Sequence, residues 1–157
     1  MGGHLFPILA ATATATAGGV GVITPDLTPE EAEDWIVATD ANDVDRVFLV
    51  ALSSSDERIA KVSNATTGFI YAGAVMGVTG ARTSISDAVE GLVAKVRRHS
   101  ELPVAVGLGV STPEQAHEIA QYADGVIVGS AFVTAIKKDG SAGAKALAQA
   151  LTKGLVR

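Results

Sequence analysis

The amino-acid sequence predicts a single α/β domain, a parallel sheet of about five strands with flanking helices. Apolar residues make up 48% of the 157 residues and aromatic residues only 4%, as in strands that are buried on both faces. Short apolar runs alternate with segments whose apolar residues recur every three or four positions. Similar helix-start motifs follow three of these runs within a few residues, which is typical of repeated strand–helix units.

Five apolar runs are predicted to be buried parallel strands. Each is rich in β-branched residues, is too short for a helix and is followed by polar or glycine-rich sequence. The runs are residues 20–23, 47–50, 69–72, 104–108 and 125–128. Because each connection is short, we expect successive strands to be joined by right-handed crossovers.

Three helices are predicted from their first residues. Residues 28–31, Thr-Pro-Glu-Glu, and residues 112–115, Thr-Pro-Glu-Gln, each offer a capping hydroxyl and a proline at the first helical position. The last residue of each motif can bond back to the cap. Residues 54–57, Ser-Ser-Asp-Glu, are a third version without proline.

Further helices are predicted from composition and spacing. The alternating Ala and Thr of residues 10–17 are expected to form a helix that stops at the following Gly-Gly pair. Apolar spacing predicts a helix around residues 88–96, and residues 142–156 are rich in Ala, Leu, Lys and Gln. No linker or low-complexity break divides residues 1–157, so one domain is expected.

Composition also limits the classes of partner and site. A formal net charge of −5 argues against non-specific nucleic-acid binding. The absence of cysteine excludes disulfides and thiolate metal sites. His4, His99 and His117 have no paired spacing for a metal. No apolar stretch approaches the length that spans a bilayer, and the first residues are a poor signal peptide, so we expect a soluble cytoplasmic protein.

Three glycine-bearing loops follow the last three predicted strands, at residues 76–82, 107–111 and 129–131. Glycines let backbone N–H groups approach an anion, and a helix N-terminus adds positive potential. A single such loop is usually only a tight turn. Three of them at the same end of successive parallel strands predict a phosphate cradle, as in the loops after the last two strands of barrels.

These loops and strands resemble the tryptophan synthase α subunits in unbroken order. The matching stretches run from about residue 18 to 135, and residues 1–17 are a divergent N-terminal helix. The matching stretches are residues 24–32, 46–51, 68–71, 77–82, 107–116 and 123–131. Among them, the Gly-Val-Thr-Gly-Ala run is highly specific. The resemblance implies strands four to eight of a partial (β/α)8 TIM barrel.

The family's α subunit cleaves indole-3-glycerol phosphate to indole and glyceraldehyde 3-phosphate, a retro-aldol lyase reaction of tryptophan biosynthesis. It uses a Glu at the end of the second strand and an Asp in the loop after it. No residue of this sequence falls on either position, so we assign no catalytic residue. Asp26 is the only acidic residue immediately after a predicted strand, and a capping or interface role suits it better. The expectation is a truncated lyase that is inactive alone.

The resemblance assigns binding roles residue by residue. On the family's positions for the substrate phosphate lie Gly80, Gly109, Gly129 and Ser130. On the wall of its indole pocket lie Tyr71, Leu108 and Ile127, although the family often has Phe in place of Leu108. Thr79 stands where the loop threonine orients the absent catalytic Asp. Asp26 lies in the loop that faces the β subunit.

Other functions stay open at this point. The chain is either a lyase whose missing strands come from a separate chain, or a non-catalytic fragment that binds a phosphorylated ligand or a partner. Another phosphate-binding barrel of histidine or tryptophan biosynthesis is a further alternative, which the 77–80 loop disfavours. The resemblance implies the tryptophan synthase β subunit as a partner. No cofactor is expected in this chain, since pyridoxal phosphate belongs to the β subunit.

Overall fold

A computed structural model of the chain describes residues 5–73 and 82–155. Its strands are β1 (Gly21–Ile23), β2 (Asp45–Val47), β3 (Leu49–Ala51), β4 (Ile70–Gly73), β5 (Val104–Gly107) and β6 (Gly125–Ile127). Its helices are α1 (Leu5–Thr16), α2 (Glu33–Ala41), α3 (Asp56–Ala65), α4 (Arg82–Arg97), α5 (Pro113–Ala120) and α6 (Ser130–Gly154), with a short 3-10 helix at Pro29–Glu31.

All strand pairs are parallel and follow the order of the chain. β1 pairs with β2, and β3, β4, β5 and β6 form a second ladder in that order. The prediction of one strand at residues 47–50 is therefore wrong in one respect. The structure has two short strands there, β2 and β3, separated by the buried Phe48. β2 pairs with β1, the strand before it, and β3 pairs with β4, the strand after it. Barrel sheets require such a stagger between neighbouring strands.

The two faces of the sheet differ in exposure. Along β4 and β5, Ile70, Ala72, Val104 and Val106 are fully buried and belong to one core with the helices. The residues between them on the strands are half-exposed, as the two-residue period of a strand dictates. One face is thus closed by helices and the other is open.

Two of the predicted helix boundaries are confirmed by their hydrogen bonds. Gly18 has φ +80° at the end of α1. Its N–H bonds to Ala15 O at 3.0 Å, and the Gly19 N–H bonds to Thr14 O at 2.8 Å, the pattern of a Schellman C-cap. At the start of α3, the Ser55 hydroxyl accepts from the Arg58 N–H at 3.2 Å.

The helix predicted to begin at residues 28–31 begins later. The Thr28 hydroxyl donates to the Glu31 carboxylate at 2.7 Å instead of accepting a backbone N–H. The backbone there makes only i to i+3 bonds, from Glu31 to Thr28 and from Ala32 to Pro29. One 3-10 turn results, and α2 starts at Glu33. None of the helices in the described part of the chain has the length and apolarity to cross a membrane.

Candidate functional site

The carboxyl ends of β4, β5 and β6 lie at one edge of the sheet. Gly73 is opposite Gly107, and Gly107 is opposite Ile127. The loops that contain Gly109 and Gly129 therefore leave the sheet side by side, as predicted. Gly80 and Thr79, which were assigned to the phosphate cradle and its loop, lie outside the described residues.

A pocket of about 490 Å³ opens at this edge, and both Gly109 and Ser130 line it. Gly109 has φ +66°, a left-handed backbone conformation that glycine adopts at little cost. The remaining lining residues are Ser111, Ala131, Thr134, Ala135, Lys138 and Leu147. Two of the predicted phosphate positions thus share one solvent-accessible pocket, and Gly129 precedes Ser130 directly.

The first turn of α6 presents hydrogen-bond donors at this pocket. Gly129 is the N-cap residue, and its carbonyl accepts from the N–H groups of Phe132 and Val133 at 3.0 and 3.2 Å. The N–H groups of Ser130 and Ala131 have no acceptor among the described residues. Such amides, together with the helix dipole, can bind an anion.

The loop after β5 is fixed by the first turn of α5. The Gln115 side-chain oxygen accepts from the N–H groups of Ser111 and Thr112 at 2.8 and 3.1 Å. The Thr112 hydroxyl accepts from the Gln115 N–H at 3.3 Å, which completes the predicted capping box. Because these groups are satisfied by α5, the loop is anchored and Gly109 stands exposed at its tip.

The open face of the sheet carries two of the three predicted indole-pocket residues. Tyr71 and Ile127 are half-exposed on this face, Tyr71 opposite Ala105 and Ile127 opposite Gly107 in the ladder. The Tyr71 ring lies so close over β5 that a Cβ at residue 107 would be 2.3 Å from its hydroxyl. Leu108 is half-buried and packs against the hydrophobic core. The absence of a side chain at Gly107 therefore makes room for the Tyr71 ring on this face.

Asp26, His99 and His117 do not line this pocket, and His4 lies outside the described residues. Asp26 is exposed in the segment between β1 and the 3-10 helix. His99 is exposed, and one ring nitrogen of His117 is 3.1 Å from the carbonyl oxygen of Gly154. In the described ranges, 5–73 and 82–155, no group of three or more His, Asp or Glu is arranged to hold a metal ion.

Sequence reasoning missed Ser111, Thr134 and Lys138, which also line the pocket. The predicted C-terminal helix 142–156 is part of the longer α6, in which Asp139 and Gly140 have non-helical backbone angles. The spacing of Thr134 and Lys138 at four and eight residues after Ser130 is a signal that could have identified them, because residues four apart share a helix face.

Comparison with known proteins identifies the same architecture. The family model described as "Tryptophan synthase alpha chain" matches residues 8–155. The tryptophan synthase alpha chain of Mycobacteroides abscessus is 55% identical over 143 residues, which are 91% of this chain and 54% of that protein. The alpha chain of Acidothermus cellulolyticus is also 55% identical, over 94% of this chain and 56% of its own length.

Solved structures agree with these sequence matches. A crystal structure of tryptophan synthase from M. tuberculosis superposes with a TM-score of 0.85 and 45% identity, over 96% of this chain and 55% of that chain. The tryptophan synthase complex of Pyrococcus furiosus gives a TM-score of 0.78 and 27% identity, over 95% and 60%. The partial-barrel prediction is confirmed, and the chain spans about half the length of the curated relatives it matches.

Proposed function

The chain belongs to the tryptophan synthase alpha chain family, and we propose that its 157 residues form the phosphate-binding part of an indole-3-glycerol phosphate lyase site. The observation that supports this function is the pocket shared by Gly109 and Ser130 at the carboxyl edge of the sheet. In barrel folds the loops at this edge bind substrate, and those after the last two strands commonly bind phosphate.

The substrate would bind in two parts. Its phosphate would lie against the N–H groups of Ser130 and Ala131, which have no acceptor among the described residues, with Gly109 and Gly129 leaving room for close approach. Its indole ring would lie against the face that carries Tyr71 and Ile127, with Leu108 at the strand end. The resemblance also assigns Gly80 to the phosphate and Thr79 to the orientation of the family's catalytic Asp, and both residues lie outside the described ranges.

The chemical step needs groups that these residues do not offer. Cleavage breaks the bond between indole carbon 3 and the glycerol chain, so carbon 3 must gain a proton and the glycerol hydroxyl must lose one as it becomes the aldehyde. The indole nitrogen gives up its proton while carbon 3 is protonated and regains one when the bond breaks. Binding groups that hold substrate and transition state equally well do not raise kcat. The 157 residues alone therefore bind the substrate and do not cleave it.

Two protein partners follow from the same proposal. A chain that carries the family's first three strand–helix units would supply the catalytic Glu and Asp. It would also pair with the free strand edge of β1 or β6, since unpaired edges favour such addition. The tryptophan synthase β subunit would dock on the loop that holds the exposed Asp26. Pyridoxal phosphate would enter only with that subunit.

Substitution of Gly129 tests phosphate binding. A Cβ at residue 129 meets no atom within 4 Å, so Gly129→Asp places a carboxylate at the start of α6 without a clash. Glycerol 3-phosphate should raise the Tm of the parent by mass action and leave the Tm of this variant unchanged. Gly91→Asp is the matched control, because a Cβ on exposed Gly91 in α4 also meets nothing within 4 Å.

The outcome of this titration separates the proposal from its alternatives. Equal Tm shifts for the parent and Gly129→Asp would contradict the phosphate site. Indole release from indole-3-glycerol phosphate is then measured for the chain alone and with a fragment that carries the missing units. No release alone and release with the fragment support a divided lyase, whereas no release in either case favours the non-catalytic binding fragment. Release by the chain alone that Asp26→Asn abolishes would make Asp26 catalytic.

A further inference from the structure

The sheet ends in two strands with a free edge. In the part of the chain that the structure describes, β1 and β6 each pair on one side only. Such an edge offers a row of backbone N–H and C=O groups to an incoming strand. The ladders within the sheet are all parallel, so a strand that continues the sheet at either edge would run parallel too.

The edge at β1 is apolar. Val20, directly before the strand, is 80% exposed, and Ile23, the last residue of the strand, is 42% exposed. Residues 18–25 contain no Asp, Glu, Lys or Arg. Charged residues commonly protect an edge strand from pairing, and this edge lacks them.

The edge at β6 borders an apolar groove. No residue of β6 is fully buried, whereas β4 and β5 each bury two. A cavity of about 290 Å³ opens between β6 and α6, and a second of about 240 Å³ shares Val126 and Leu155 with it. We call this surface the β6 groove; its larger apolar residues are Val126, Val128, Phe132, Leu151 and Leu155. Apolar side chains that stay open to solvent beside a free strand are typical of an interaction site.

The two edges belong to halves of the chain that differ in charge. Residues 5–73, which include β1, contain ten Asp and Glu and three Lys and Arg. Residues 82–155, which include β6, contain seven Asp and Glu and eight Lys and Arg. Two acidic halves repel each other, whereas an acidic half and a slightly basic half attract. Charge therefore favours contact between a β1 edge and a β6 edge.

A second copy of the chain has the size and the edges to fill the open side of the sheet. The chain spans about half the length of its curated relatives. Rotation about an axis parallel to the strands brings β6 of one copy beside β1 of the other, and the same rotation repeats this joint at the remaining two edges. Because β2 and β3 occupy one position, the closed sheet would have ten strands, and the diameter of a barrel increases with its strand number.

We propose that two copies of this chain associate head to tail, the β6 edge and the β6 groove of each against the β1 edge of the other. This inference goes beyond the proposed function, because a second copy occupies the edges that the missing strand–helix units would use. The pairing covers the open face that carries Tyr71 and Ile127. The pocket at Gly109 and Ser130 forms within one copy, so phosphate binding does not depend on the pairing.

Sedimentation of the full chain over a concentration series tests the association. The parent should reach twice the mass of one chain. Val20→Lys charges the β1 edge and Leu155→Lys charges the β6 groove, so a dimer of either variant carries a lysine at both joints. Each substitution should raise the Kd of the dimer at least about tenfold. Val37→Lys is the matched control, because Val37 is 64% exposed on α2, outside both surfaces, and it should associate like the parent.

A mixture of the two lysine variants tests the head-to-tail arrangement. A mixed dimer carries both lysines at one joint and none at the other, whereas each variant alone has two altered joints. The mixture should therefore associate more tightly than either variant by itself. A mixture that associates no more tightly than the single variants would overturn the arrangement.

A parent that stays monomeric at every concentration would overturn the inference. If that monomer binds the fragment with the missing units one to one, the edges belong to the fragment. Titration of glycerol 3-phosphate into Val20→Lys separates this result from the proposed function, and the affinity should equal that of the parent. Dimerisation of a parent that binds no glycerol 3-phosphate would support the pairing and contradict the phosphate site.

Discussion

The two ends of the parallel sheet are built differently. At the amino end, side chains bond across the sheet and to the last residues of helices. The Arg46 guanidinium donates to the Ala65 carbonyl at 2.7 Å, to the Thr39 hydroxyl at 3.2 Å and to the Asp40 carboxylate. The Asp124 carboxylate accepts from the Val104 N–H at 2.9 Å.

Around the loops that follow β5 and β6 at the carboxyl end, the side-chain bonds are local. The Thr112 and Gln115 bonds stay within the first turn of α5, and the N–H groups of Ser130 and Ala131 have no acceptor among the described residues. Long-range polar bonds thus hold the amino end, whereas the loops after β5 and β6 keep donors for a ligand. Stability and binding should therefore respond to different substitutions, in keeping with the division of roles in barrels.

The largest expected effect is the loss of the Arg46 side chain. Arg46→Met leaves the Ala65 carbonyl and the Thr39 hydroxyl without their donor, and the Arg46 side chain is only 10% exposed. We expect the free energy of unfolding to fall by about 2–3 kcal/mol in urea denaturation. Binding of glycerol 3-phosphate to the folded variant should stay unchanged, because Arg46 lies at the opposite end.

Arg98→Met provides the control for this substitution. Arg98 and Asp56 are 3.5 Å apart, and both side chains are more than half exposed. Exposed pairs contribute about 0.5 kcal/mol or less, so this variant should unfold almost as the parent does. Equal losses for the two arginine variants would show that the amino-end network does not hold the sheet.

Asp124 should give a smaller effect at the same end. Asp124→Ala removes the acceptor of the Val104 N–H and the partner of Arg97, whose guanidinium is 3.1 Å away. We expect a loss of about 1–2 kcal/mol in the free energy of unfolding. Asp124→Asn keeps an acceptor oxygen and should lose about half as much, so an equal loss for both variants would assign the effect to charge alone.

The same contrast explains which features could be predicted from sequence. The capping box at residues 112–115 was predictable because all its bonds lie within four residues. The break at Phe48 was not, since it depends on where β1 and β4 pair. The Arg46 network joins residues 6 to 19 positions apart, and local periodicity carries no signal for such partners.

The candidate site was predictable in part for a similar reason. Gly109, Gly129 and Ser130 follow strands directly, so the parallel order alone placed them at one edge. The helical spacing from Ser130 was a signal for Thr134 and Lys138, whereas Leu147 joins the pocket only because the chain turns back at Asp139 and Gly140. That return depends on tertiary packing, which a motif search does not register.

The smallest expected effect concerns acid, and it tests the electrostatic contribution of two carboxylates at the carboxyl end, Glu30 and Glu114. Hydrogen bonding to Arg58 lowers the pKa of Glu30 below the ordinary 4.5. Hydrogen bonds from its own backbone N–H and from the Thr112 hydroxyl lower the pKa of Glu114 in the same way.

A carboxyl group whose pKa is lower in the folded than in the unfolded state stabilises the fold when the pH is above the unfolded-state pKa. This stabilisation is lost as the pH falls through the folded-state pKa. The parent should therefore have a slightly higher Tm than the Glu30→Gln, Glu114→Gln double variant at about pH 7, and the difference should shrink as pH falls below 4.5. The deficit of Arg46→Met should persist across the same range, because arginine keeps its charge throughout. A Tm difference for the double variant that stays constant from neutral to acid pH would mean that these carboxylates act through packing, and the electrostatic account of Glu30 and Glu114 would be wrong.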